Sequence, residues 1–272
     1  MKLSNGMEIP QIGVGTWTLR DDVARQNVKL ALQAGFRLVD TAQMYGNERE
    51  VGDGIRLSGI AREEIFLTTK INTNVMREDE AAIRASIDES LEKLQTPYVD
   101  LLLIHWPVRN CVRKTWLMME DYVRQGKVRA LGVSNFNRHH LEELMSYATV
   151  QPVLNQIEVH PLMSQVENIA YNHSLGIQVQ AWGPFGQGDI DVVGHEVIQQ
   201  LARKHGKTAS QIVLRWIVQR DLITIPRAKP NHFDENLGVM TFELSAEDME
   251  SLNALNINLR SNKNNDPETF PW

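Results

Sequence analysis

Short apolar runs that end in a polar or aromatic residue recur along the chain. Eight of them read as strands: "QIGVG" (11–15), "FRLVD" (36–40), "EIFLTTK" (64–70), "VDLLLIH" (99–105), "VRALGVS" (128–134), "PVLNQIE" (152–158), "IQVQAW" (177–182) and "LITIP" (222–226). Stretches with apolar residues three or four apart separate them and read as helices. "RDDVARQNVKLALQAG" opens on aspartate caps, ends at Gly35 and carries a stripe of Val23, Val28, Leu30, Ala31 and Ala34. "REDEAAIRASIDESLEKLQ" aligns Ile83, Ile87, Leu91 and Leu94 behind an acidic first turn, which complements the helix dipole. "TWLMMEDYVRQGK", "NRHHLEELMSYA", "VENIAYNHSLG", "HEVIQQLARKHG" and "TASQIVLRWIVQRD" behave alike. "SAEDMESLNALN" opens with a capping box, Ser245 with Asp248 three residues on.

Regular alternation of strand and helix means parallel strands joined by right-handed crossovers. Eight such units in a chain of this length predict an α/β fold, a (β/α)8 TIM barrel, with residues 1–272 as a single domain. Asn5-Gly6 and Pro10 mark a short N-terminal β-hairpin before the first strand. The polar tail that closes in Phe270-Pro271-Trp272 reads as a C-terminal loop over the active-site face. The competing architecture is an open doubly wound sheet. It would favour a Gly-rich phosphate loop after the first strand, and "GVGTW" offers only a G-x-G.

Composition narrows the function classes. The chain has 272 residues, 42% hydrophobic and 23% charged, enough for a large core. A net charge of −6 without a basic block argues against nucleic acid and anionic membranes as partners. No apolar run approaches the roughly 18 residues of a membrane span. "MKLSNGMEIPQIG" has no signal-peptide core. The lone Cys111 can form no disulfide within the chain and fits a reducing compartment. A soluble, cytoplasmic protein is expected, with no metal site.

Barrel enzymes work at the C-terminal ends of their strands. In this chain those ends supply Trp17, Asp40 with Tyr45 in the loop beyond, Lys70, His105-Trp106, Ser134-Asn135, Gln156, Trp182 and Arg227. Each alone has a plain structural reading. Jointly, Asp, Tyr, Lys and His converging on one rim define a proton-delivery system. A phenol with an ordinary pKa of about 10 releases its proton too reluctantly near neutrality. The Lys70 ammonium would stabilise its phenolate, Asp40 would keep Lys70 charged, and His105 would hold the substrate oxygen. That suits carbonyl reduction, for which a nicotinamide cofactor must bring the hydride.

The motifs "GVGTW", "VDTAQMYGNE", "LTTK", "DLLLIHWP", "GVSNF", "NQIEVHP", "AWGPFGQG" and "IPRAKPNHFDENL" resemble those of the aldo-keto reductases along essentially the whole chain. "AWGPFGQG" is most similar to the bacterial 2,5-diketo-D-gluconate reductase branch. The resemblance implies a barrel, usually monomeric, that binds NADPH extended and reduces aldehydes or ketones such as keto-sugar acids or methylglyoxal. It implies Tyr45 as general acid, tuned by Asp40 and Lys70, with His105 orienting the carbonyl. It places Ser134, Asn135 and Gln156 on the nicotinamide carboxamide and Trp182 against the ring. Trp17 and Trp106 would line the substrate pocket, and Glu235 and Asn236 would meet the adenine.

Two departures from the family pattern matter. Asn72 stands where a tryptophan often follows the lysine, which would leave the substrate pocket wider or more polar. In the cofactor segment Arg227, Ala228 and His232 replace lysine, serine and arginine. Arg227 can still grip a 2′-phosphate, but Ala228 loses a hydroxyl and His232 is mostly neutral. Appreciable use of NADH beside NADPH is therefore expected. Two alternatives compete: a Schiff-base lyase with Lys70 as nucleophile, and a non-catalytic cofactor-binding protein on the same scaffold.

Overall fold

The computed structural model describes residues 1–227 and 229–270. Each predicted strand run contains a strand: β1 (Val14–Gly15), β2 (Leu38–Asp40), β3 (Phe66–Ile71), β4 (Val99–Ile104), β5 (Val128–Ser134), β6 (Leu154–Glu158), β7 (Gln178–Trp182) and β8 (Ile223–Thr224). They pair in chain order, every pair parallel. A further parallel bridge, Ile12 to Thr224, joins the first strand to the last and closes the sheet into a barrel. Gly13 N donates to Thr224 O at 2.9 Å and Thr224 N to Gln11 O at 2.9 Å across this seam.

The seam explains "GVG". A Cβ on Gly15 would sit 2.8 Å from the Ile225 carbonyl oxygen, and one on Gly13 would sit 2.5 Å from Leu38 Cγ. These glycines permit close strand packing at closure rather than forming a phosphate loop.

The two-residue period of a strand sorts the core. Leu38, Phe66, Leu101, Leu103, Ala130, Leu154 and Ile223 point inward and form one buried cluster with Leu3 and Ile9 from the N-terminal turn. Val39, Leu67, Ile71, Leu102, Ile104, Leu131 and Val133 point outward to the helices. The N-terminal turn is closed by Leu3 N to Met7 O at 2.8 Å and carries one antiparallel bridge, Lys2 to Glu8.

The helices between the strands are α1 (Asp21–Ala34), α2 (Glu48–Ser58), α3 (Glu80–Lys93), α4 (Val112–Arg124), α5 (Arg138–Met145), α6 (Val166–Ser174), α7 (Glu196–His205) and α8 (Ala209–Gln219). Beyond β8 come α9 (Phe233–Leu237) and α10 (Ala246–Asn253). In α3 the apolar residues Ile83, Ile87 and Leu91, with Leu94 at its C-cap, are all buried, and Ser245 caps α10 as its box predicts. In α1 the stripe is rotated from the expected one. Ala24, Val28, Ala31 and Leu32 are buried, whereas Val23 and Leu30 face solvent. Its N-cap is Arg20 with no side-chain cap bond, so Asp21 and Asp22 serve the dipole in the first turn instead.

Sequence patterning missed α2 because Gly52 and Gly54 interrupt it. Both are required by packing. A Cβ on Gly52 would lie 2.7 Å from the Leu94 carbonyl, and one on Gly54 would lie 2.7 Å from the Arg25 carbonyl oxygen. Helix α2 also carries Glu48, whose carboxylate accepts from Thr69 Oγ1 at 2.6 Å and Ser90 Oγ at 3.2 Å. Among the described residues, no helix is long and apolar enough to cross a membrane. Gly52→Ala is expected to destabilise the fold by about 1–3 kcal/mol through overpacking, measured by urea denaturation. An unchanged midpoint would show that the α2–α3 contact yields freely.

Candidate active site

Strand parity builds the site. Two residues beyond the inward Leu38 comes Asp40, and two beyond Leu103 comes His105. Inward Phe66 leads to Thr68 and then Lys70, Leu154 to Gln156, Gly132 to Ser134, and Gln180 to Trp182. The same face that is apolar on the barrel floor becomes polar and aromatic at the C-terminal strand ends.

There the side chains enclose a cavity of ≈ 390 Å³. Its walls include Trp17, Asp40, Tyr45, His105, Trp106, Ser134, Asn135, Gln156, Trp182 and Arg227. Lys70 lies behind this wall, with 0% of its side chain exposed. Its Nζ donates to Asp40 Oδ1 at 2.5 Å, to the Thr41 carbonyl at 2.9 Å and to Tyr45 Oη at 3.3 Å. Gln156 Nε2 donates to the other Asp40 oxygen at 2.7 Å and to Gln180 Oε1 at 2.6 Å. The Tyr45 and His105 rings meet edge to face with centroids 5.6 Å apart.

Electrostatics follow from this burial. Burial pushes the Asp40 carboxyl up, with the Lys70 charge opposing. Burial works to lower the Lys70 pKa, but Asp40, foremost by its charge, and Tyr45 together outweigh it, and the net shift is upward. Burial also raises the Tyr45 phenol above its usual 10, against the pull of Lys70. The net shift is thus opposite to that expected from Lys70 alone, because desolvation of the phenolate outweighs one neighbouring cation. His105 is driven well below its usual 6.5 by burial and then by the Lys70 charge. Its buried Nδ1 has no hydrogen-bond partner among the described residues.

A second layer orders the adjacent wall. Ser134 Oγ donates to the Gln156 carbonyl at 2.9 Å, and Asn135 Nδ2 donates to the His105 carbonyl at 3.1 Å. Trp182 Nε1 donates to Asn135 Oδ1 at 2.9 Å, which fixes the indole plane. Asn135 sits at φ +63°, a left-handed conformation that asparagine tolerates.

Other expected residues lie elsewhere. Asn72 does not line the cavity: its N–H donates to Gln43 Oε1 at 2.7 Å, and its side chain accepts from Asn74 N at 2.9 Å, capping its own loop. Met44 and Phe270 line the cavity instead, with Phe270 stacked on Trp106 at 3.7 Å between centroids. Glu235 and Asn236 are on α9, outside the cavity. Glu235 binds His232 Nδ1 at 2.9 Å and accepts from Thr208 Oγ1. Arg227 is exposed at the rim and donates to Thr18 Oγ1. Ala228 lies outside the described residues. The loop from Gly183 to Gly188 also contributes walls, Pro184, Phe185 and Gln187 among them. The sequence marked that region through "AWGPFGQG", as a motif that resembles the family's.

Residues 11–257 match the aldo/keto reductase family model. This chain belongs to the aldo/keto reductase family. It is 43% identical to the glyoxal reductase of Bacillus subtilis (strain 168), over 99% of this chain and 97% of that one. It is 38% identical to the methylglyoxal reductase DkgA of Salmonella typhimurium, over 99% of this chain and 97% of that one. The Bombyx mori aldo-keto reductase solved in complex with NADP superposes with a TM-score of 0.90 at 33% identity, covering 100% of this chain and 97% of that one.

The depressed His105 pKa makes a testable statement in this aldo/keto reductase. The ring is expected to remain neutral through pH 6.5, read from its imidazole nitrogen shifts by NMR. A midpoint at or above 6.5 would contradict the burial argument. The sign for stability is fixed by linkage. The folded pKa is below the unfolded one, so this contribution is intact above about pH 6.5 and is lost as pH falls toward the folded value.

Proposed function

We propose that this chain reduces small aldehydes and ketones, glyoxal- and methylglyoxal-like dicarbonyls foremost, with NADPH as reductant and Tyr45 as proton donor. The observation that carries the reading is the Asp40–Lys70–Tyr45 chain of contacts beside His105 on one cavity wall. The names of the relatives support the substrate class. Keto-sugar acids of the 2,5-diketo-D-gluconate kind belong to the same chemical class.

In this reading the substrate carbonyl oxygen lies between the Tyr45 hydroxyl and the His105 ring. His105, held neutral, donates a hydrogen bond without bringing a second positive charge. Tyr45 gives its proton to the oxygen as negative charge develops there, and the Lys70 ammonium stabilises the phenolate left behind. Asp40 keeps Lys70 protonated and aimed. The aromatic walls, Trp17 and Trp106, select substrate shape and exclude water.

The cavity suits a nicotinamide. A polar trio and a flat indole share one wall, and the trio's geometry limits what it can offer. Both Gln156 amide protons are engaged, so its carbonyl oxygen would accept from the carboxamide, beside Ser134 and Asn135. NADPH supplies the hydride when bound. Trp182 would stack on its ring. Arg227, Ala228, His232, Glu235 and Asn236 would hold the adenosine end. His232 already faces the Glu235 carboxylate, which weakens its attraction for a 2′-phosphate, and we expect NADH to serve as well.

Lys70 as a Schiff-base nucleophile fits poorly. Its three donors are spent on Asp40, Thr41 and Tyr45, and its raised pKa leaves no free lone pair. A non-catalytic cofactor-binding role would retain the site but show no turnover. We further take residues 1–272 as one domain, monomeric and cytoplasmic, with an N-terminal hairpin under the barrel and a C-terminal loop over the cavity.

Loss of nicotinamide absorbance with methylglyoxal tests the reading. Tyr45→Phe is expected to lower kcat by roughly 10²–10⁴-fold while cofactor still binds. Full activity in that variant would rule out Tyr45 as the donor. The ratio of kcat/KM for NADPH over NADH is expected to lie below roughly 1000, about 4 kcal/mol, and to fall further in Arg227→Ala. A larger wild-type ratio would refute the His232 argument.

A further inference from the structure

The start of α5 and the C-terminal arm bring two imidazoles and a carboxylate together outside the cavity. We propose that His139, His140 and Glu268 bind a divalent transition metal, zinc by its donor set, and that the ion clips the arm to α5. Their ligand atoms all lie within 4.8 Å of one another. His139 Nε2 is 3.6 Å from Glu268 Oε2, and the two histidine rings have centroids 3.9 Å apart. Donors on a tetrahedral zinc at about 2.0–2.1 Å sit roughly 3.3 Å from each other, so the cluster needs a small contraction. Two neutral imidazoles and one carboxylate suit zinc, copper or nickel and are too soft a set for calcium or magnesium.

The sequence gives no metal-ligand spacing, because adjacent histidines and an acid far along the chain meet only through the fold. The Asn137 side chain helps, by holding the arm's carboxylate at the start of α5. Asn137 caps α5, its N–H donating to His140 Nδ1 at 3.1 Å, and its side-chain amide donates to Glu268. Metal at either His140 nitrogen gives up the Asn137 N–H bond, since the lone pair or the tautomer changes. The loss is one partly exposed hydrogen bond against three coordinate bonds.

The consequence reaches the cavity mouth. Phe270 follows Glu268 by two residues, and its ring lies parallel to Trp106, interplanar angle 4°. An ion on Glu268 therefore pins the segment that holds this stack. None of the three ligands lines the cavity, so the site is separable from the reduction chemistry.

Metal-free protein titrated with zinc sulfate by calorimetry decides it, with no substrate or cofactor present. One ion is expected, with micromolar or tighter affinity, weakened at least tenfold in both Glu268→Gln and His139→Ala. The Glu268 and His139 side chains are 49% and 58% exposed, so neither substitution removes core packing. Hydrogen exchange across residues 262–270 is expected to slow with zinc in the wild type and not in Glu268→Gln. Equal affinity in the wild type and both variants, or no wild-type binding up to about 1 mM zinc, overturns the site. Binding through these residues with unchanged exchange across 262–270 overturns the clip. Because neither readout involves turnover, failure here is distinct from failure of the proposed reduction.

Discussion

The buried ion pair between Lys70 and Asp40 is the constraint around which the upper barrel is arranged. Neither side chain reaches solvent beyond 2%. Removing two such charges from water costs several kcal/mol per ion, and one contact does not offset that without further hydrogen bonds. The fold supplies them. Lys70 finds the Thr41 carbonyl and the Tyr45 hydroxyl, and Asp40 finds the Gln156 amide. Three different strand ends, those of β2, β3 and β6, and one loop are thereby fixed relative to each other. A buried pair of this kind is weak evidence for stability, since apolar replacements often pack as well. Its retention makes sense as the fixed charge that a phenol needs when it releases a proton.

Barrel geometry makes this arrangement accessible to sequence. A strand with period two delivers every second residue to the interior, and the inward rows of β2, β4 and β6 are apolar below and polar above. Leu101 and Leu103 lead to His105, and Phe66 and Thr68 lead to Lys70. The floor is sealed by Leu3 and Ile9, so the cavity opens at the C-terminal strand ends. The outward rows meet the helices, and polar links such as Thr69 to Glu48 are confined to that layer.

The strands, and Asp40, Lys70 and His105 at their ends, were legible for that reason: their places follow from strand parity and chain order. What escaped the sequence depends on distant packing. Helix α2 was hidden by Gly52 and Gly54, whose absent side chains are demanded by the Leu94 and Arg25 carbonyls. The α1 stripe was displaced because Val23 and Leu30 look apolar yet meet no partner layer. Asn72 turned inward on its own loop, and Met44 and Phe270 became walls through contacts made far along the chain. The Tyr45 pKa was misjudged because spacing shows a neighbouring cation but not the depth of burial, which here acts more strongly. The short α9 and its Glu235–His232 pair carry too few residues for a periodic signal.

The central claim is that Asp40, Lys70 and Tyr45 act as one unit, with Asp40 working through Lys70. A double-mutant cycle over Asp40→Asn and Lys70→Met, read as single-turnover rates of NADPH oxidation with methylglyoxal, addresses it most directly. The account predicts that each single change lowers the rate sharply and that the double variant is little slower than Lys70→Met alone. Losses that multiply independently would contradict it and would give Asp40 a separate task.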